Sequence, residues 1–398
     1  MAGTEADAGA NGKAGASGPL RGVRVIEFAG IGPAPFCGMM LADMGAEVIL
    51  VERPSADATT QKPTLMDLGR FALTHRGKRS IALDMKKPEA VEAALRLIDT
   101  ADVLIEGFRP GVMERLGLGP EVCLARNPKL VYGRMTGWGQ SGPLAQSAGH
   151  DINYVALSGL LALGRKGAGA PPWVPPTIVG DMAGGAMFLA FGIVCGILEA
   201  QRSGCGQVVD AAITDGAAVL GTLIHGAAAG GLWAADNALQ GDAPFYNVYR
   251  CADGRWISLG PLEPQFYRVL RDKLGLTDAD WDVQYDAARW PALRERLATV
   301  FAGKSRDEWC KQLEGCDACF SPVLELDEAP AHPHNVARQA FVTLDGVSQP
   351  APAPRFSRTP GGVNTPRPRC GADGERLLRD CDFDAAAVAA LRNAGALG

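Results

Sequence analysis

Alternating strand and helix patterns over the first third of the chain constrain its fold most strongly. Short apolar and β-branched runs, typical of buried strands, are separated by segments with apolar residues every three or four positions. The predicted strands are 23–28, 47–52, 80–84, 102–106 and 129–136, with helices at 36–44 and 90–99. Repeated alternation of this kind favours a parallel sheet with helices on both faces. We therefore predict an α/β fold whose large domain contains a Rossmann-like parallel sheet.

The first strand is followed by a glycine-rich turn, AGIGPAP, which superficially resembles a dinucleotide fingerprint. Gly30 and Gly32 are followed by Pro33 and Pro35, and the third glycine of the fingerprint is missing. The turn therefore argues against a nicotinamide-dependent dehydrogenase.

Changes in composition along the chain predict its domain organisation. Residues 1–17 are small and polar and are predicted to be a disordered lead. We predict a large domain at 18–234 and a smaller α+β domain at 235–325, which opens with a hairpin pattern and continues in amphipathic helices. Residues 326–398 are rich in proline and arginine and are predicted to return to the large domain.

Composition also narrows the class of function. The formal net charge of −5 argues against a general nucleic-acid binder, but not against a small phosphate-bearing ligand. The ten cysteines lack a disulfide-framework spacing, which predicts reduced intracellular thiols. The lone pair Cys316 and Cys319 lacks the further ligands of a zinc site. With no secretory signal and no SKL-type tripeptide in the sequence, we expect a cytoplasmic location.

Residues 182–198 form an uncharged, mostly apolar run that contains four glycines. The run is short for a membrane span and is flanked by Asp181 and Glu199. We predict a helix buried against the sheet or against another subunit, and no membrane association.

The stretch AGHDINY, residues 148–154, is the first candidate for a reactive site. It places His150 and Asp151 between a predicted strand and a predicted helix, where ligands of open α/β sheets bind. The N–H groups of Asp151 and Ile152 would be unpaired donors suited to a developing oxyanion. On these residues alone, a purely structural role remains an equal alternative.

Two further features point to the same edge of the sheet. Asp181 is predicted at the N-cap or first turn of the glycine-rich helix, where helix capping is the simpler explanation. Several cations lie at or near predicted strand ends, which suggests a polyphosphate ligand, with a solvated basic edge as the alternative. These cations are Arg53, Arg76, Lys78, Arg79, Lys86 and Arg109.

Ten motifs, taken in order, carry a resemblance to a known family. They are PLRGVRVIEFAGIGPAPFC, AEVILVERP, KRSIALDMK, DVLIEGFRPGV, GRMTGWGQSGP, AGHDINYVALSG, VGDMAGG, GQVVDAAITDG, APFYNVYRCADG and GPLEPQFY. From about Pro19 to Phe356 the chain resembles the family III CoA-transferase (CaiB/BaiF) superfamily and, within it, the α-methylacyl-CoA racemases. The resemblance implies an interlaced homodimer whose active site lies between one subunit's large domain and the other's small domain.

The resemblance also implies roles for individual residues. His150 and Asp181 match the acid and base that act on the substrate α-carbon, and Glu263 matches a small-domain glutamate that supports the histidine. Asp151 would meet Glu263 across the subunit interface. The positions that match contacts to CoA or its thioester are Arg53, Leu83, Asp84, Met85, Lys86, Arg109, Gly149, Ile152, Asn153 and Tyr154. The implied substrate is an acyl-CoA, with coenzyme A as part of the substrate, no further cofactor and no metal.

The chemistry of racemisation fits these residue types. Inverting a 2-methylacyl thioester requires two proton carriers on opposite faces of a planar enolate, and a histidine with a carboxylate meets this need. Glu263 would favour a protonated His150. The alternative is CoA transfer between carboxylic acids with Asp181 as nucleophile. The presence of His150 and Glu263, without a GGGGQ-like loop, favours the racemase.

The sequence departs from the racemase pattern at two places near the expected acyl pocket. Thr177 stands where racemases usually carry asparagine, four residues before Asp181. The stretch 239–246 reads LQGDAPFY where LDGGAPFY is usual. Both departures bear on substrate choice more than on the type of reaction.

Overall fold

The structure is a computed structural model that describes residues 17–54, 68–165, 170–233, 237–363 and 365–398. The predicted disordered lead, 1–17, lies outside the described residues except for Ser17.

The chain divides into two compact units. The first comprises the described parts of Met1–Asp151, Gly180–Gly216 and Phe341–Gly398, and the second those of Ile152–Val179 and Ala217–Ala340. The limits predicted at 235 and 325 fall inside the second unit. The second unit also contains parts of the chain that we placed in the large domain, because the units are defined by spatial contact and the chain passes between them more than once.

A six-stranded parallel sheet organises the first unit. Its strands are β1 (Arg24–Phe28), β2 (Glu47–Glu52), β3 (Arg79–Ala82), β4 (Val103–Glu106), β5 (Val131–Thr136) and β6 (Gln207–Ala212). Their spatial order is β3-β2-β1-β4-β5-β6, and all neighbours are parallel. Ile26 aligns with Ile49 on one side and with Leu104 on the other, and all three are fully buried. The predicted α/β class with a Rossmann-like sheet is confirmed.

Helices connect these strands and continue through both units. In chain order they are α1 (Pro33–Asp43), α2 (Pro88–Asp99), α3 (Val112–Arg115), α4 (Pro120–Arg126), α5 (Asp151–Leu157), α6 (Met187–Ser203), α7 (Ile213–Leu220), α8 (Thr222–Ala229), α9 (Pro264–Leu274), α10 (Trp290–Phe301), α11 (Arg306–Leu313), α12 (Pro333–Ala337), α13 (Gly374–Arg379) and α14 (Ala385–Asn393). A π-helix, Ile178–Ala186, leads directly into α6.

Three elements differ from the sequence prediction. Helix α1 begins at Pro33 rather than at 36, because prolines fit the first helical turn, where no N–H bond is needed. The small residues of 213–232 predict one further helix, but the structure interrupts it at Gly221, where an added Cβ would lie 2.8 Å from Leu160 Cδ2. The π-helix that carries Asp181 was not predicted, since a local insertion leaves no mark on the apolar pattern.

The second unit contains a three-stranded antiparallel sheet, β7 (Asn247–Arg250), β8 (Trp256–Leu259) and β9 (Phe320–Val323). The predicted hairpin corresponds to β7 and β8, whereas β9 was missed. Buried aromatic side chains form its core, including Phe301, which stacks on Tyr249 with ring centroids 5.2 Å apart. A separate hairpin, β10 (Phe341–Leu344) and β11 (Val347–Pro350), belongs to the first unit.

Among the described residues, one helical segment, Ile178–Ser203, is long and apolar enough to span a membrane by length and composition. One face of this segment packs on the sheet, where a Cβ added at Gly133 would lie 3.1 Å from Leu189 Cδ1 and 3.3 Å from Ile193 Cδ1. A helix buried in a folded domain meets the same length and composition criteria.

Candidate active site

The carboxyl ends of β1 to β5 meet at one edge of the parallel sheet. The strand order reverses between β1 and β4, and ligands of such sheets bind at this switch point. Arg53 follows β2 directly, and Arg109 lies in the loop after β4. Both side chains are exposed and, within the described parts of the chain, form no ion pair or side-chain hydrogen bond. Two free guanidinium groups thus flank the crevice, as expected of a site for an anionic ligand.

Residues 83–86, which follow β3, are predicted to contact the ligand. Leu83 is fully buried and forms a β-bridge with Leu397, so a ligand could reach only its main chain. Asp84 accepts a hydrogen bond from the N–H of Lys86 at 3.2 Å, and its own N–H donates to the carbonyl of Ala396 at 3.0 Å. Met85 is half-buried and Lys86 is exposed.

Three of the cations that suggested a polyphosphate ligand are engaged in ion pairs, and for them that interpretation is wrong. Arg76 is buried and forms a bidentate ion pair with Asp43. Lys78 is fully buried against Glu27. Arg79 forms ion pairs with Glu47, Asp373 and Asp380. These charges are neutralised inside the first unit, because buried cations require partners.

His150, Asp151 and Asp181 come together in the first unit. His150 is exposed and immediately precedes α5, whose first residue, Asp151, is buried. The backbone N–H of Asp181 donates a 2.7 Å hydrogen bond to Oδ1 of Asp151. The carboxylate of Asp151 thereby fixes the π-helix at the residue that carries the second predicted proton carrier.

The pKa of the Asp181 carboxyl is raised from 3.8 to about 6. Burial is the largest cause, and the negative charge of Asp151 adds to it, whereas the positive charge of His150 acts in the opposite direction. An imidazole and a carboxyl therefore share one electrostatic environment, and the carboxyl titrates close to neutral pH. A group with these properties can both accept and donate a proton at physiological pH.

The glycine-rich turn after β1 borders this carboxyl group, a contact that sequence reasoning missed. Gly32 has a φ of 75°, and a Cβ there would lie 3.3 Å from Oδ2 of Asp181. A Cβ added at Gly185 would meet Pro33 at 3.2 Å and Met135 at 3.3 Å. The glycines therefore allow α1, β5 and the π-helix to approach closely around Asp181. The conformation and the close approach explain Gly32 without a dinucleotide.

The remaining predicted site residues, except Gly149, belong to the second unit. Glu263 is exposed and precedes α9, and its charge raises the pKa values of Tyr285 and Cys319, in each case after the larger effect of burial. Ile152 and Asn153 are exposed and Tyr154 is half-buried, whereas Gly149, also half-buried, belongs to the first unit.

A cavity of about 510 Å³ lies within the second unit. Its lining includes Leu239, Gln240 and Gly241 from the divergent stretch, together with Tyr246 and Phe320. Among the described residues, no group of three or more histidine, cysteine, aspartate or glutamate side chains could hold a metal ion.

Comparison with known proteins identifies the family. The model of CoA-transferase family III matches residues 20–374. The chain belongs to CoA-transferase family III. It is 45% identical over 371 residues to the alpha-methylacyl-CoA racemase of Mus musculus, covering 92% of this chain and 93% of the relative. It is 41% identical over 370 residues to the human protein of the same name, covering 92% and 94%.

A solved structure has the same fold. The structure of a CAIB/BAIF family protein from Brucella suis matches with a TM-score of 0.80 at 26% identity, covering 92% of this chain and 100% of that one.

Proposed function

We propose that this family III protein is an α-methylacyl-CoA racemase that interconverts (R)- and (S)-2-methylacyl-CoA thioesters. The observation that carries the proposal is the Asp181 carboxyl, whose pKa of about 6 is set by burial, by Asp151 and by His150. Such a group, within electrostatic range of the His150 imidazole, suits proton transfer at a weakly acidic carbon. The two racemases that are 41–45% identical to this chain support the same activity.

In the proposed reaction, one of His150 and Asp181 removes the α-proton and the other returns a proton to the opposite face. The electron pair of the broken C–H bond passes into the thioester carbonyl to form an enolate, and it returns to the α-carbon when the new C–H bond forms. The N–H of Asp151 is proposed to hold the enolate oxygen. Arg53 and Arg109 are proposed to bind the phosphates of CoA, and the backbone around Leu83 to contact its nucleotide.

The test is α-proton exchange of a 2-methylacyl-CoA in deuterated water, with no acceptor acid present. We expect exchange together with loss of optical purity. His150→Ala and Asp181→Ala should each reduce exchange by at least about a hundredfold, the usual contribution of a positioned acid or base. Full activity in either variant would reject the assignment.

A CoA-transferase is the second candidate, since the family is named for that reaction. Asp181 would then attack the thioester carbonyl, form a mixed anhydride and release the CoA thiolate. CoA turnover that requires a second carboxylic acid, without α-proton exchange, would establish this alternative.

Assembly and location are further parts of the proposal. We propose a homodimer that shares its active site, with Glu263 of one copy supporting His150 of the other. An exposed apolar stripe on α6 supports a second copy as a partner: Met187, Phe191, Val194 and Leu198. We also propose a cytoplasmic location without membrane association, and a reaction that needs no cofactor beyond the CoA of its substrate.

A further inference from the structure

Arg134 holds both ends of the loop that carries Arg109. Its Nε donates to Oε1 of Glu106, the last residue of β4, at 2.9 Å. Its Nη1 and Nη2 donate to the two carboxylate oxygens of Glu114, in α3, at 2.9 and 3.3 Å. One guanidinium group thus bridges the residues before and after the loop 107–111.

The Arg134–Glu106 half of this clamp is buried, whereas the side chain of Glu114 is 44% exposed. The side chain of Glu106 is fully buried and that of Arg134 is 8% exposed. Oε2 of Glu106 also accepts the N–H of Phe108 at 2.7 Å, inside the loop. Breaking the Arg134–Glu106 pair would leave a buried charge unpaired, so the start of the loop is expected to keep one conformation.

Gln146 connects this loop to the segment that carries His150. Its side-chain Nε2 donates to the carbonyl of Pro110 at 3.1 Å. The segment 141–150 is mostly exposed, and backbone bonds at Ala145 and Ser147 only close local turns. The Gln146 bond reaches out of the segment to the residue adjacent to Arg109.

We propose that Gln146 is a positioning residue that ties the loop bearing His150 to the loop bearing Arg109. When Arg109 binds the anionic part of CoA, this bond holds the imidazole at the position required for proton transfer. The inference rests on the proposed function and adds to it a link between recognition of the nucleotide end and placement of the acid–base group.

The test compares two substrates. One is a 2-methylacyl-CoA. The other is the corresponding N-acetylcysteamine thioester, which lacks the phosphates and therefore has no anionic group for Arg109 to bind. Gln146→Ala should lower kcat for α-proton exchange about fivefold with the CoA thioester, as expected for loss of one hydrogen bond, with little change in KM. With the truncated thioester the loss should be less than about twofold.

Two further variants separate the bond from the bulk of the side chain. Gln146→Glu has nearly the same shape but cannot donate to the Pro110 carbonyl, so it should behave like Gln146→Ala. Gln201→Ala is the matched control, because Gln201 is exposed and lies beside Val23 and Asp102, at the opposite edge of the sheet. It should retain wild-type kcat.

A double-mutant cycle completes the test. Arg109→Ala with Gln146→Ala should be no slower than Arg109→Ala alone, since the bond matters only when Arg109 is occupied. Equal losses with both thioesters and an additive cycle would overturn the inference, as would wild-type activity of Gln146→Ala. Absence of exchange in the wild-type protein would reject the proposed function and this inference with it. If the wild-type protein catalyses exchange but the Gln146 variants behave as just described, the proposed function stands and only the inference fails.

Discussion

The charged carboxylate of Asp181 lowers the free energy of unfolding, because burial and the negative charge of Asp151 disfavour it. This is a free-energy cost to the folded state. The folded pKa of Asp181, about 6, lies above the ordinary 3.8, so the cost is present above both values and disappears as the pH falls below about 4. We expect Asp181→Asn to raise the free energy of unfolding by about 1–2 kcal/mol at pH 7, after allowance for partial solvent screening, and by nothing at pH 3.5. Urea unfolding at the two pH values measures this; a gain at both would contradict the assigned cause.

Asp151 affects the same carboxyl group through its charge. Asp151→Asn keeps an oxygen that can accept the Asp181 N–H but removes the negative charge that raises the Asp181 pKa. The acid limb of the kcat/KM profile for exchange should therefore move to lower pH. An unmoved limb, in a variant with unchanged circular dichroism, would show that Asp151 does not set this titration.

At the scale of elements, the π-helix that carries Asp181 follows a strained residue. Thr177 has a φ of 61°, in the left-handed region where a β-branched residue is unfavourable and asparagine is tolerated. This conformation gives a physical reason for the asparagine that racemases usually carry here. Thr177→Asn should raise the free energy of unfolding by about 1 kcal/mol, measured by urea denaturation. Thr177→Val, equally branched, should give no gain.

The strand–helix junction of β1 and α1 depends on a buried ion pair. Nζ of Lys78 contacts both carboxylate oxygens of Glu27, at 2.8 and 2.6 Å, and the carbonyl of Pro35 at 3.0 Å. Burial raises the pKa of Glu27 although Lys78 opposes it. Lys78→Met should lower the free energy of unfolding by about 3–5 kcal/mol, because the buried carboxylate of Glu27 is left unpaired. Adding Glu27→Gln should recover most of that loss in thermal unfolding; no recovery would show that the pair is not the cause.

At the scale of the whole molecule, the apolar stripe on α6 predicts the state of assembly. Phe191 is 70% exposed in the single chain, although the opposite face of the helix packs on the sheet. Phe191→Glu should place a charge in the proposed dimer interface, yield monomers in sedimentation velocity and abolish exchange if Glu263 acts from a second copy. Val122→Glu, at an exposed apolar residue of α4, should leave the dimer intact. A dimeric Phe191→Glu would exclude this face.

The sequence by itself determined the class of fold, because buried parallel strands and their crossover helices leave distinct apolar periods. It also placed Arg53 and Arg109 at strand ends, and His150 and Asp151 between a strand and a helix, since the carboxyl ends of parallel strands share one edge.

Only the tertiary structure decided what depends on residues distant in the sequence. It assigned Lys78 and the neighbouring Arg76 and Arg79 to ion pairs, although their charge alone had suggested a phosphate site. It brought Gly32 beside Asp181 and Gln146 beside Pro110. A charge pattern states which groups carry charge, but burial and partners decide whether that charge faces a ligand or another side chain.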